Sequence, residues 1–359
     1  MRTISFFYRY VVILLFAVLT TNIVVAQTTR TENVYVMNPT GSLHIISGKS
    51  NLEIMTWDRN EVKIVGELTY RENDNKEDIT KLLNAFKNIK DESSKDVLKL
   101  NLNPIIGMVG VSQKSFFKSK PEFMTVLNNG DKISKIDDNN VKIVYTIWIP
   151  AILENVNLML HSCEVNAAEL KNVTVDAKFS TIRIEKNVGN AKFDFYSSKL
   201  FGKNFQTLEI SARFSEFNIA DISEPKINLS YKNKFNFATV NTFRCQESKF
   251  DTFTFNEIVA SVSFPDAYQT NIDIRETSAS FNSFSGNFRF GSINLKIHPN
   301  VEFNLNYNGT HGRMNVSPDK FKTRFISDQN SSKTTIQGLN AGAKCNIELV
   351  TQHTTCKIE

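Results

Sequence analysis

The side chains of this sequence that could do chemistry are few and scattered. Its five histidines, His44, His161, His298, His311 and His353, share no spacing that would put two of them on one metal. The four cysteines, Cys163, Cys245, Cys345 and Cys356, include no CxxC pair, and only His161 and His353 lie near one, which argues against zinc. Cys163 falls in an apolar slot and reads as a buried thiol. Cys345 and Cys356 flank Thr351-Gln352-His353, read as the bend of a terminal hairpin, so they are the candidate disulfide. His311, in Gly309-Thr310-His311-Gly312-Arg313, is the one histidine in a loop that looks specialised, and solvent exposure explains it without chemistry.

Lys178, Arg183, Arg213, Asp194 and Asp221 could line one outer sheet and act on an acidic polysaccharide. Alternation sends polar residues outward in any half-buried sheet, however, so their presence needs no reaction to explain it. The sequence has no GxSxG elbow, no HExxH, no GxxxxGK[ST] and no GxGxxG. No catalytic residue, metal or cofactor is expected.

Short strands must position whatever these residues do. Residues 33–70 alternate apolar and polar side chains, with turns at Asn38-Pro39-Thr40-Gly41 and Ser47-Gly48-Lys49-Ser50-Asn51. The period then changes: Ile79, Leu82, Leu83, Phe86 and Ile89 recur at helical spacing, with Asn75 as cap and Glu77 and Asp78 in the first turn. That pattern predicts one amphipathic helix over 76–90. A strand over 97–102 follows, then a polar stretch whose Asn128-Asn129-Gly130-Asp131 reads as a turn.

From Val141 onward strand follows strand, and a repeat emerges. Leu160, Phe179, Tyr196, Phe214, Tyr231, Phe250, Tyr268, Phe290 and Tyr307 anchor it at spacings of 19, 17, 18, 17, 19, 18, 22 and 17. Two mostly small or polar residues follow most anchors, then an apolar-x-apolar strand such as Ile182/Ile184 or Phe217/Ile219. After the Phe anchors the apolar pair sits at +3 and +5, and after Tyr231 and Tyr268 at +4 and +6, so the true unit could be a pair of half-repeats of roughly 36 residues. Such short turns cannot bury their own inward faces, and stacking them builds one core. The expected fold is all-β, a β-solenoid (β-helix-like) of about nine turns of 17–22 residues, with one amphipathic helix in an excursion. The alternatives are a β-sandwich and, less well matched by strands of about five residues, an outer-membrane barrel.

The ends and the charge bound the setting. Arg2 and Arg9 precede an apolar run and the small residues Val24-Val25-Ala26, which reads as a signal peptide over 1–26 cut between Ala26 and Gln27. Gln27 is not a cysteine, so lipid anchoring is not expected, and no later segment resembles a transmembrane span. Cysteines of an exported chain meet an oxidising compartment. The formal net charge is +5, and without Arg2 and Arg9 the balance is 40 basic to 37 acidic side chains. Those bases are spread among acids and Asn along the strands, which excludes nucleic acid as the expected partner. The expected organisation is 1–26 leader, 27–70 first solenoid strands, 71–140 helix-bearing excursion and 141–359 repeat.

Several stretches resemble a family of secreted, adhesin-like proteins of Gram-negative bacteria, related to the head domains of adhesin-like auto-transporters. They are GSLHIISGKSNLEIMTWDRNEVKIVGEL (41–68), VLNNGDKISK (126–135), VKIVYTIWIP (141–150) and the KFSTIRI and RFSEFNI repeats. The resemblance implies a β-helix-like solenoid in or outside the cell envelope, and it carries no catalytic residues over. This sequence departs from the pattern at the strand corners, where Ser, Asn and Lys stand in place of Gly. The expected function is non-enzymatic, adhesin-like binding of an envelope or surface protein or glycan, by a chain that is periplasmic, outer-membrane-associated or extracellular. A periplasmic scaffold and a polysaccharide-active β-helix enzyme are the alternatives. An exposed aromatic row would favour binding, a convergent acid-base pocket an enzyme, and a uniformly Lys/Asn/Glu surface a scaffold.

Overall fold

The computed structural model describes residues 26–71, 75–94, 96–111, 122–134, 141–330 and 332–359. The leader expected over 1–26 lies outside them except for Ala26, which with Gln27 opens the strand Ala26–Val36. Among the described residues the fold is all-β with one α-helix. Twenty-three strands join one hydrogen-bonded sheet and three form another. No described helix is long and apolar enough to cross a membrane.

The chain forms two compact units interleaved in sequence. Of the described residues, the first comprises 26–31, 67–71, 75–88, 104–111, 122–134 and 141–143. Its helix, Lys76–Lys87, is capped as its sequence dictates: the Asn75 side chain accepts the Glu77 N–H at 3.0 Å, and Leu82, Ala85 and Phe86 are buried. It stops short of Lys90, which already belongs to the strand Lys90–Ser93. The antiparallel sheet of this unit is Ile105–Val111, Glu122–Leu127 and Lys132–Ser134. Asn128 donates from Nδ2 to the Ala85 carbonyl at 3.1 Å, and the Ser134 N–H donates to Asp78 Oδ2 at 3.1 Å, tying helix to sheet. The Asn128–Asp131 turn is present, with Gly130 at φ 89°.

The second unit, residues 32–66, 89–103 and 144–359, carries the repeat. From Glu164 to Ile274 its strands lie in parallel, each on its successor: Glu164 pairs with Thr181, Thr181 with Lys199, Lys199 with Glu216, Glu216 with Lys234, Lys234 with Thr252 and Thr252 with Asn271, whereas Lys90–Ser93 and Lys333–Leu339 pair antiparallel with their neighbours. Equivalent apolar residues therefore stack inside. Phe217, Phe235 and Phe253 lie face to face, 4.7 Å between successive ring centroids and within 11° of parallel, and Phe237 stacks on Phe255 at 5.4 Å. All are buried.

Many strands are longer than the five or six residues expected. Thr181–Tyr196 has 16 residues and Thr252–Tyr268 has 17. The alternation breaks outward at Glu185-Lys186-Asn187, a bend through which pairing with the next strand resumes after a register shift. A bend without Gly or Pro leaves no punctuation in the sequence.

The order of strands departs from the order of sequence at both ends. Ser42–Gly48 pairs with Val97–Asn101 on one edge and Asn155–His161 on the other. At the far end the final strand, Cys345–Ile358, inserts between Ser283–Leu295 and the consecutive strands Phe303–Thr310 and Arg313–Asn315. The expected terminal hairpin is therefore absent: the chain runs on through Thr351-Gln352-His353 as one strand that pairs in parallel on both sides. Eight extended steps, roughly 26 Å, take Cys345 to the bend at His353, too far for the three after it to bring the Cα atoms within the ~7 Å that a disulfide needs. Cys345, Cys356, Cys163 and Cys245 are buried free thiols.

Candidate functional site

Each turn of the repeat rounds a corner through one residue of left-handed backbone. Among the described residues eleven non-glycine residues have φ between 48° and 60°: Lys49, Ser162, Phe179, Ser197, Phe214, Lys232, Phe250, Gln269, Phe290, His311 and His353. A bulky residue there costs on the order of 1–3 kcal/mol, so something at each corner must hold it. Counting from these residues removes the two registers seen in the sequence. At the seven corners from Phe179 to Phe290 the first buried apolar residue comes three positions later: Ile182, Leu200, Phe217, Phe235, Phe253, Ile272 and Ile293. The Phe anchors are themselves the corner, whereas Tyr196, Tyr231 and Tyr268 precede it by one.

Inside the corner runs a buried polar ladder. The residue after each corner places its backbone N–H where no strand partner lies, and the next turn supplies a side-chain acceptor. Cys163 N–H donates to Ser180 Oγ, Ser180 N–H to Ser198 Oγ, Ser198 N–H to Ser215 Oγ, Ser215 N–H to Asn233 Oδ1 and Asn233 N–H to Asp251 Oδ1, at 2.7–3.1 Å and 17 or 18 residues apart. The serine hydroxyls in turn donate back across the corner to the carbonyls of Lys178, Tyr196 and Arg213. Buried donors are thereby satisfied around a strained bend. Gly291 occupies the same position where no side chain fits: a Cβ there would lie 2.1 Å from the Thr270 carbonyl oxygen. Burial pushes the Asp251 carboxyl above its ordinary value, against hydrogen bonds from Ser248, Ser230 and the N–H groups of Asn233 and Lys249 that favour its charge.

Outside the corner stands a column of rings. Phe179, Tyr196, Phe214, Tyr231, Phe250, Tyr268 and Phe290 follow one another at centroid distances of 5.4–5.6 Å and interplanar angles of 66–81°, edge to face. Histidines end the column: His161 packs on Phe179 at 5.6 Å, and His353 and His311 stack on Phe290 in succession at 4.9 and 5.1 Å. The rings are well exposed, Phe179 at 55% and Tyr196, Phe214, Phe250 and Phe290 at 40–45%. The outermost sequence anchors do not join them. Leu160 and Tyr307 are buried, and His161 and His311 take the places assigned to their turns.

Basic side chains are woven into this column. In the position before the corner, Tyr and a base alternate in strict register: Lys178, Tyr196, Arg213, Tyr231, Lys249, Tyr268 and Arg289. Lys232, at a corner, holds its Nζ 5.5–5.9 Å from the rings of Phe214, Tyr231 and Phe250, and the Arg289 guanidinium lies 5.7 Å from the Tyr268 ring. Across all eleven turns the corner residue and the one before it include no Asp or Glu. Two of the bases pair with acids two or more residues away, Lys249 with Glu247 at 2.5 Å and Arg289 with Asp266 at 2.8 Å. Among the described residues Lys178, Arg213 and Lys232 have no ion-pair partner.

Of the charged residues singled out in the sequence, Lys178, Asp194 and Arg213 come together beside Phe179 and Tyr196 in an open groove of about 560 Å³. Arg183 lies elsewhere, its guanidinium 5.1 Å from the Phe201 ring, and Asp221 sits opposite Asn204 and Thr239. The described residues hold no group of three or more His, Cys, Asp or Glu placed to bind a metal.

No family model and no curated protein sequence matches the chain. Among solved structures it is similar to a "putative adhesin" of Parabacteroides distasonis, at 10% identity, with 93% of this chain and 97% of that chain covered and a TM-score of 0.38. A "putative adhesin" of Parabacteroides merdae aligns at 10% identity over 92% and 96%, TM-score 0.38. A "putative cell adhesion protein" of Clostridium sporogenes aligns at 13% identity over 92% and 99%, TM-score 0.20.

Proposed function

We propose that the chain is an exported, non-enzymatic β-solenoid that serves as an adhesin-like binding protein of the bacterial cell envelope, and that the ringed corner is its binding surface. The carrying observation is the unbroken, exposed column from Phe179 to Phe290. A contiguous apolar patch rimmed by polar groups is costly to leave facing water and marks an interaction surface. Parallel turns in register repeat that patch along the stack, which suits an extended partner, an envelope or surface protein or a glycan, rather than a small molecule. The alternative is a periplasmic scaffold with no specific ligand, and the edge-to-face interlocking of the rings is what favours it, since rings that pack on one another also brace the corners.

Protease treatment of intact cells, beside fractionation into periplasm, outer membrane and medium, tests the setting. Surface digestion supports the adhesin, and full protection with periplasmic release supports the scaffold. The column itself is tested by Phe214→Ser with Phe250→Ser. Adhesion or partner capture lost at unchanged fold supports the binding surface, and retention of both overturns it.

A further inference from the structure

The corner carries more than exposed rings: it carries charge with a period. Resting on the reading of this ridge as a binding surface, we propose that it binds a linear acidic polysaccharide bearing about one carboxylate or sulfate per disaccharide, laid along the stack of turns. Tyr and base alternate before the corner, so Lys178, Arg213, Lys249 and Arg289 recur at every second turn. Two turns advance about 10 Å at the spacing of sheet strands. That is also the advance of an extended pyranose chain per disaccharide, so one anionic group per repeat would meet one cation per two turns.

The intervening tyrosines fit the sugar between the charges. Tyr196, Tyr231 and Tyr268 are partly exposed, and their hydroxyls make no hydrogen bond within the described protein. A phenol ring offers an apolar surface to the C–H groups of a pyranose and a donor and acceptor to its hydroxyls. The two ridge positions carry no acid at any corner; Glu247 and Asp266 pair with Lys249 and Arg289 and Asp194 lines the groove beside Lys178 and Arg213, while Lys178, Arg213 and Lys232 have no ion-pair partner among the described residues. Arginine and lysine recognise carboxylate and sulfate through charge-assisted hydrogen bonds. Single-stranded nucleic acid, the other common polyanion, also stacks its bases on exposed rings and is separated from a glycan by direct comparison of the two.

The test uses the purified full chain in affinity electrophoresis and solution titration. The probes are hyaluronan, which carries one carboxylate per disaccharide, the same polymer after carboxyl reduction, and oligodeoxythymidylate. The expected result is binding to hyaluronan that weakens with added salt, is lost on carboxyl reduction, and falls at least about tenfold in Lys178→Gln with Arg213→Gln, both exposed and neither at a left-handed corner. Equal binding to the reduced polymer, or preference for the oligonucleotide, overturns the proposal. Absence of hyaluronan binding while Phe214→Ser with Phe250→Ser still abolishes adhesion overturns the acidic-glycan assignment and leaves the binding ridge standing. Loss of neither hyaluronan binding nor adhesion in that double variant overturns the ridge itself.

Discussion

The backbone N–H of Ser180 donates to the hydroxyl of Ser198 one turn away, 3.1 Å distant, and that hydroxyl donates in turn to the Tyr196 carbonyl at 2.9 Å. One side chain thus completes two turns: it satisfies a donor that the preceding corner leaves without a strand partner, and it braces its own corner. The same division of labour recurs at Ser215, so the ladder holds each left-handed residue in place from the next turn.

Ser198→Ala is therefore expected to cost more than the loss of one average hydrogen bond. It leaves the buried Ser180 N–H unpaired, a penalty of about 1–3 kcal/mol. Urea unfolding with an unchanged m-value would read this as a lowered midpoint. Ser198→Thr, which keeps the acceptor, should recover much of it, and equal loss in both variants would contradict the ladder.

Phe235 lies between Phe217 and Phe253 in the inner stack and is fully buried. Phe235→Ala should destabilise by about 3–5 kcal/mol, because the rings on either side cannot close the gap without leaving register. Phe235→Leu should cost less, since it retains volume and loses mainly the stacked contact. Thermal melts of the two variants beside the parent check the order.

Asp251 makes stability depend on pH in an uncommon direction. Burial lifts its carboxyl above the ordinary aspartate value of 3.8, so the folded chain holds this proton to higher pH than the unfolded chain does. Its contribution is largest below that unfolded value and declines as pH rises through the folded one. Asp251→Asn should remove this decline, visible as a flatter pH dependence of stability above about pH 4 in paired denaturation curves. Parallel curves for parent and variant would contradict it.

The four thiols should be silent in the native protein. Burial pushes Cys345 and Cys356 to about 12 and Cys245 well above its ordinary value, so little thiolate is present at neutral pH. A chromogenic thiol reagent should read close to zero before unfolding and four equivalents after it, without reductant. Two equivalents would mean that a disulfide had formed.

How much of this was legible beforehand follows from which residues carry local signals. The helix was readable from Asn75, Glu77 and the apolar spacing, because a cap and a period are local. The middle seven anchors were readable because rings on a regular corner recur at a regular distance. Which residue turns the corner was not readable, since Phe, Ser, Lys, Gln and His all occupy the left-handed position and only glycine would have marked it. The alternation of Tyr with Lys or Arg was present in the sequence, but it acquires meaning only when register sets Tyr196 beside Arg213 and Arg213 beside Tyr231. The ends were misread because a repeat invites the assumption that each turn follows its predecessor. The strand Cys345–Ile358 breaks that assumption without any local sign.

The placement of this strand also fixes when the structure can be finished. Ser283–Leu295 and Phe303–Thr310 each keep an unpaired edge until the last fourteen-residue strand arrives between them. A chain emerging from its N-terminus, whether from the ribosome or through an export channel, can build turn upon turn as it appears and must then wait. Completion is deferred until Cys345–Ile358 has emerged, so this strand acts as a latch whose loss would leave two sticky edges facing each other and a chain prone to pairing with its neighbours.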